Sequence, residues 1–311
     1  MKKIVFHCIS KLCRCVAPLL VCVGSPVLVM AQDDVLIVDA NRIRGAYEQF
    51  VPDMVAARPD CHFEELRRTA VADITSERLA AITRHKMLKR HLSHEEVYRQ
   101  VCRSTYVFGR YYRCPDCHNM HTMSSATAFA LSEDGIMATN YHVLEDVLTL
   151  RRDTTCSDSA YFVADMQGNC FLLTKVLAYS RADDLAVFQV DTQGKRIDCI
   201  PLGRTAPTGS HVNIVANPDD LFYEYTEGVV TRNYIESSRR RELQRMEVSA
   251  GYAVGASGGP IVDDCGNMVG MVSSTNTLYS NPYGRDEHRD PQMVVKVSIP
   301  VACMKRLLRI E

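Results

Sequence analysis

Residues 124–311 of this 311-residue chain predict a mostly-β fold, preceded by a helical region and closed by a C-terminal helix. Two observations carry that prediction. From Ser124 to Ile299, short runs rich in Val, Ile, Phe and Thr alternate with Gly, Asn and Asp turn signals, the pattern of strands joined by tight turns. Upstream, apolar residues recur at three- and four-residue spacing instead, as in Ile43, Ala46, Tyr47, Phe50 and Met54, the period of a helix with one buried face.

The first element is a targeting segment, residues 1–31. Lys2 and Lys3 precede an apolar stretch from Cys15 to Met30 that Gly24-Ser25-Pro26 interrupts, and Val29-Met30-Ala31 forms a small-residue cleavage site before Gln32. This reads as an export signal, so the expected location is periplasmic or secreted. The run is too short and too broken for a membrane span, and no stable span is expected after cleavage; an uncleaved anchor is the alternative. Cys22 follows Leu19-Leu20-Val21, where a lipid-attachment site wants a small residue, so lipidation is not expected.

The formal net charge is −1, and removing residues 1–31, with four Lys/Arg and no acid, leaves 32 basic against 37 acidic residues, a net of −5. That balance argues against nucleic acid as a partner. Thirteen cysteines are present, four of them in the signal, which leaves nine. Export permits disulfides, and the odd number requires at least one thiol that is free, metal-bound or paired to another chain.

Residues 32–105 are expected to be helical. Pro52 should kink or end the first helix. A long charged stretch from Phe63 to Leu92 carries Leu66, Ala70, Ile74, Leu79, Ile82 and Leu88, and Ser93-His94-Glu95-Glu96 is a capping box for a further helix through Val101. His85, His91 and His94 read as solvated helix faces rather than ligands. With no catalytic signature, the region is expected to pack on the rest of the protein or on a partner, and Cys61 and Cys102 are candidates to staple it.

Residues 106–123 are expected to form a linker before the first strand, built around Cys114-Pro115-Asp116-Cys117-His118-Asn119-Met120-His121. Three readings stay open. Cys-x-x-Cys-His is the attachment pattern of c-type haem, although nothing else in the chain points to a cytochrome. Cys114, Cys117, His118 and His121 offer up to four ligands at zinc-like spacing, with a structural zinc at Cys114, Cys117 and His121. The two cysteines also suit a small disulfide loop or another structural thiol role.

The β region then follows in order. Ala126–Leu131 and Ile136–Thr139 flank the turn Glu133-Asp134-Gly135; Tyr161–Ala164 and Phe171–Tyr179 flank Gln167-Gly168-Asn169. Leu185–Val190, His211–Val215, Glu227–Thr231, Leu243–Val248, Pro260–Val262, Met268–Val272 and Val294–Ile299 complete the strands, and Pro300–Ile310 reads as the closing helix.

Three stretches carry chemistry. Gly255-Ala256-Ser257-Gly258-Gly259-Pro260 places a serine on a tight glycine-rich turn. Ile136–Leu144 is a strand ending at His142, and Arg181–Phe188 sets Asp184 directly before an apolar strand, with Asp183 as its rival. Taken singly these are a loop serine, a capping histidine and a turn-forming aspartate. Taken in the order His, Asp, Ser they are what a serine nucleophile needs: a base within reach and a group to orient the base.

Through these motifs the chain resembles the trypsin/chymotrypsin superfamily. Thr139-Asn140-Tyr141-His142-Val143, Asp184-Leu185-Ala186-Val187 and Ser257-Gly258-Gly259-Pro260 look most like its bacterial HtrA-like (Deg-type) branch, over roughly residues 124–310. The resemblance implies two six-stranded antiparallel barrels, with His142 and Asp184 on the first and Ser257 on the second. It implies an endopeptidase acting on protein or peptide substrates through Ser257 as nucleophile, His142 as base and then acid, and Asp184 as orienting group. The N–H groups of Gly255 and Ser257 would form the oxyanion hole, and no cofactor is required for catalysis. Gly251, Tyr252, Ser273, Ser274 and Thr275 would line the specificity pocket; with no acid among them, small or medium apolar side chains are expected rather than Lys or Arg.

Two departures from the family pattern stand out. Ala256 occupies the position at which zymogen-activated relatives carry an Asp that pairs with a newly cut N-terminus, so such a cut is not expected to be required. HtrA-like proteins carry PDZ domains after the closing helix; here the sequence ends at Glu311, and substrate capture is expected to fall to residues 32–105 or to the barrel loops. A homo-oligomer is compatible with the branch. The alternative function is a catalytically silent binding module that keeps the fold and acts through its N-terminal helices.

Overall fold

The computed structural model describes residues 35–70, 75–83, 85–149, 159–238, 241–280 and 290–310. The export signal assigned to residues 1–31, and Cys156, lie outside them. Within Ile37–Glu311 two closed antiparallel barrels form, each of six strands.

The first helix, α1, runs Ala40–Ala56 and is capped by Asp39, whose carboxylate accepts the Arg42 N–H at 2.9 Å. Contrary to expectation it continues through Pro52. Pro52 is half-buried and Glu48, whose carbonyl loses its N–H partner, is exposed, so water can satisfy it; Ile43, Tyr47, Val51 and Val55 form the buried stripe. Four such side chains at about 1.5–3 kcal/mol each outweigh the ~3 kcal/mol penalty of an interior proline. The Tyr47 ring packs 5.2 Å from Phe162.

The stretch Phe63–Leu92 is not continuously helical. It holds two short helices, α2 (Phe63–Thr69) and α3 (Ser76–Thr83), and then an extended segment. That segment pairs with the Asp263–Asn267 turn: Leu88 N–H donates to Asn267 Oδ1 at 2.7 Å, Asn267 Nδ2 to Leu88 O at 3.0 Å, and Leu92 N–H to Asp264 O at 2.8 Å. Helix propensity loses here because a turn of the second barrel offers the backbone partners a helix would otherwise supply. The capping box forms as expected at the start of α4 (His94–Cys102), with Glu96 N–H to Ser93 Oγ at 3.2 Å and Ser93 N–H to Glu96 Oε2 at 2.8 Å. Cys61 and Cys102 are both buried free thiols, each pushed up to about 12 by burial, so no staple joins them.

The barrel begins earlier than the sequence reading placed it. β1 (Thr105–Arg113) begins at the last residue assigned to the helical region and runs through the first half of the stretch assigned to a linker, and it pairs with both β2 (Met120–Ala130) and β4 (Ala160–Ala164) to close the first barrel. Thr105–Phe108 are fully inside, and only a strand bonded on both edges satisfies their backbone. The Cys/His stretch therefore caps the β1–β2 hairpin rather than preceding the first strand. β3 (Ile136–Thr139), β5 (Cys170–Ser180) and β6 (Leu185–Val190) complete the ring in the order β1-β2-β3-β6-β5-β4 around Phe108, Tyr161, Phe171 and Phe188.

The second barrel has the order β10-β11-β12-β9-β8-β7, with β7 His211–Ala216, β8 Glu224–Ser238, β9 Arg241–Val248, β10 Pro260–Val262, β11 Met268–Tyr279 and β12 Pro291–Pro300. Ile214, Val230, Met246 and Ile261 lie in its core. A last helix, Val301–Leu308, closes the chain as expected. Among the described residues no helix is long and apolar enough to cross a membrane.

Candidate active site

His142, Asp184 and Ser257 converge between the barrels. β3 ends at Thr139, and His142 opens the short helical turn His142–Leu144 that follows. Asp184 precedes β6 in the left-handed region (φ 57°), which Asp tolerates better than most residues and which turns its carboxylate toward the histidine. Asn140 is fully buried, and its Nδ2 donates to Asp184 O at 3.0 Å. His142 Nδ1 stands 3.0 Å from Asp184 Oδ1, and the His142 N–H donates to the same oxygen at 3.1 Å. On the far side of the ring, Nε2 lies 3.1 Å from Ser257 Oγ.

Asp183 is removed from this geometry. Its carboxylate accepts from Ser180 Oγ at 3.0 Å and from Arg306 Nη2 at 2.9 Å, which ties it to the closing helix.

The Ser257 loop needs its glycines. Gly255 and Gly258 have φ of 91° and 83°, and a Cβ would lie 2.6 Å from Asn217 O at the first and 2.2 Å from Thr127 O at the second. The same loop is stitched across both barrels. Thr127 N–H donates to Ser257 O at 2.8 Å and Thr127 Oγ1 to Gly255 O at 3.0 Å. Asn217 N–H donates to Thr127 Oγ1 at 2.9 Å, and its side chain bonds Tyr106 O and the Tyr223 N–H. Sequence reasoning missed Thr127 and Asn217, because a threonine in a strand and an asparagine before proline have commonplace explanations. A cavity of about 350 Å³ opens beside Gly255, between Met123–Ser125 and Asp219–Asp220.

The five expected pocket residues divide. Ser274 and Thr275 are exposed beside the cleft, as is Gly251. Tyr252 is buried, with its hydroxyl 2.8 Å from Val297 O and 3.2 Å from Ser274 O. Ser273 faces the triad: its Oγ donates to Asp184 Oδ2 at 2.7 Å, and its carbonyl lies 3.3 Å from Ser257 Oγ. Lys296, on β12, was also missed; it stands opposite Thr275, and its Nζ donates to Tyr252 O.

At the β1–β2 tip the ligand atoms of Cys114, Cys117 and His121 lie within 4.8 Å of one another, with Cys117 Sγ 3.0 Å from His121 Nε2. The Cys114 thiol is held below its ordinary range by hydrogen bonds from the backbone N–H groups of Cys117 and Asp116. His118 is not part of this convergence; it adopts φ 58° and its carbonyl accepts from Arg113 Nη1 at 3.0 Å. His94, read as a solvated helix face, is exposed and also meets the second barrel, with Nδ1 2.6 Å from Glu227 Oε2 and its ring stacked 5.1 Å from His211. His94, His211 and Glu227 also gather three ligand atoms.

Residues 126–271 match the family described as trypsin-like peptidase domain. Protease Do-like 1, chloroplastic, of Arabidopsis thaliana is 29% identical over 166 residues, 51% of this chain and 34% of that protein. The probable periplasmic serine endoprotease DegP-like of Brucella suis is 26% identical over 170 residues, 52% of this chain and 29% of that protein. The chain thus spans about a third of the length of these curated relatives. Among solved structures, an HtrA-type protease, AlgW with decapeptide, superposes with a TM-score of 0.53 at 18% identity, covering 70% of this chain and 67% of that one. Deg5 gives 0.51 at 19% identity, covering 69% and 94%. The double barrel is a trypsin-like peptidase fold, similar to those of the HtrA and Deg proteases.

Proposed function

We propose that this protein is an exported serine endopeptidase whose His142, Asp184 and Ser257 hydrolyse peptide bonds through an acyl-enzyme. The observation that carries the reading is the placement of one imidazole between a carboxylate at 3.0 Å and a serine hydroxyl at 3.1 Å. A free hydroxyl is too weak a nucleophile at neutral pH. His142 Nε2 takes the Ser257 proton as Oγ attacks the scissile carbonyl carbon, and Asp184 stabilises the imidazolium. The carbonyl oxygen becomes an oxyanion facing the N–H groups of Gly255 and Ser257, each donor contributing on the order of 3 kcal/mol. Collapse breaks the C–N bond, and His142 gives its proton to the leaving amine. Water, deprotonated by the same base, then releases the acid and restores Ser257.

Ala256 is fully buried with its N–H on Ala253 O at 3.1 Å, so the loop needs no ion pair at that position. Activity without a cut ahead of the barrel follows. The test is labelling of residues 32–311 by a fluorophosphonate together with cleavage of an unfolded protein. Both should be present in the intact chain and absent in Ser257→Ala. Absence from both proteins would leave the silent binding module as the reading.

The β1–β2 tip is proposed to hold a structural zinc on Cys114, Cys117 and His121. Two convergent sulfurs, one of them an acceptor of backbone N–H groups, suit a metal thiolate. One equivalent of zinc should accompany the purified protein and be lost in Cys117→Ser. A Cys114–Cys117 disulfide in the metal-free protein, found by mass spectrometry, would replace this proposal.

A further inference from the structure

A lysine links the two stretches that flank Ser257. Two stretches flank the nucleophile: Gly251–Val254 leads into its loop, and Ser273–Thr275 passes along it, with Ser273 touching both Asp184 and Ser257. β12 runs antiparallel to the second stretch, and its register sets Lys296 opposite Thr275 and Val297 opposite Ser274. The Lys296 side chain reaches back under the first stretch. Its Nζ donates to Tyr252 O and lies 5.0 Å from the centre of the Tyr252 ring. The Tyr252 hydroxyl is bonded to Val297 O and Ser274 O, which fixes the ring against both strands. Lys296 thus joins the two stretches that flank Ser257, paired with Thr275 in the sheet and bonded through its ammonium group to Tyr252 O.

That ammonium is incompletely satisfied. It has three donors, and among the described residues Tyr252 O is its one acceptor. No described carboxylate pairs with it. The nearest in sequence register, Glu247 opposite Val297, is taken by Arg232 at 3.0 Å. Lys296 is half-buried, and burial lowers its pKa without an opposing charge to raise it. A cation so placed costs stability, and an apolar side chain of equal length would suit the barrel better. Its open donors, on the strand paired with the stretch whose Ser273 touches Ser257, suit an anionic group brought by the substrate.

Resting on the serine-peptidase reading above, we infer that Lys296 makes this a pocket for acidic side chains, so that the enzyme cleaves after Glu or Asp. This replaces the small or medium apolar preference expected from the sequence. A carboxylate reaching Lys296 would complete the shell of the ammonium, whereas a Lys or Arg side chain would meet a like charge.

The experiment uses the full exported chain and fluorogenic peptides differing in one residue before the scissile bond: Glu, Gln, Val or Lys. Fluorophosphonate labelling is followed in parallel, because it reports Ser257 independently of side-chain preference. Cleavage after Glu should exceed cleavage after its neutral isostere Gln by about tenfold or more, the fold-change of one charge-assisted hydrogen bond. Lys296→Met should lose that ratio while still labelling, and Lys296→Arg should keep it. A labelled wild-type enzyme that cuts Gln or Val peptides as well as Glu peptides overturns the acidic pocket and leaves the peptidase standing; that comparison needs no variant to fold. Absence of labelling in the wild type overturns both.

Discussion

Each barrel carries a histidine against an aspartate, and only the first of these two pairs also meets a serine hydroxyl. In the first, His142 Nδ1 stands 3.0 Å from Asp184 Oδ1; in the second, His211 Nδ1 stands 2.6 Å from Asp264 Oδ1. The difference lies at the other ring nitrogen. His142 Nε2 faces the Ser257 hydroxyl, which can lose a proton and attack. His211 Nε2 faces Glu227 at 3.9 Å, and its ring stacks on His94 of α4. The His211 ring is held by Asp264 on one side and faces Glu227 and His94 on the other, a contact that ties α4 to the second barrel and brings no hydroxyl to the ring. A histidine–carboxylate pair is therefore not a catalytic signature until its third partner is known.

The sharpest way to break this comparison is to neutralise each aspartate. Asp184→Asn should reduce kcat/KM by about 10⁴-fold, through loss of the correct tautomer and of imidazolium stabilisation. Asp264→Asn should leave turnover within about twofold, since its histidine touches no reacting atom. A comparable loss in both would mean that the second pair supports the site through the fold.

A smaller effect belongs to stability. His211→Ala should lower Tm by about 2–4 °C, as expected for ~1 kcal/mol in a chain of this size, without changing labelling of Ser257. The pH dependence follows from Asp264. Burial pushes its carboxyl up, but hydrogen bonds from His211 and Asn213 outweigh that and hold it below the ordinary range. A depressed carboxyl contributes stability above its unfolded value and loses it as pH falls through the folded one. The wild type should thus lose stability below about pH 4 more steeply than Asp264→Asn, measured by thermal melts across that range.

The fold class was readable because its determinants are local. Turn glycines such as Gly135 and Gly168 and the alternation around them mark hairpins wherever they occur. β1 escaped because Thr105–Arg113 follows a well-capped helix and precedes a cysteine motif, so nothing local marks a new strand; its pairing partners lie fifty residues downstream on β4 as well as on β2. The extended segment before α4 escaped for the same reason, since its partner turn lies near Asn267.

By itself the sequence determined the mostly-β class, the closing helix and the three motifs that meet at His142, Asp184 and Ser257. Spacing, order and turn chemistry are written along the chain. Tertiary structure alone decided the rest. It turned Asp183 onto Arg306, gave Ser273 to the triad, and brought Lys296 under Tyr252. These roles depend on which strands become neighbours and on which face each side chain leaves, and a shift of one residue in register reverses that face.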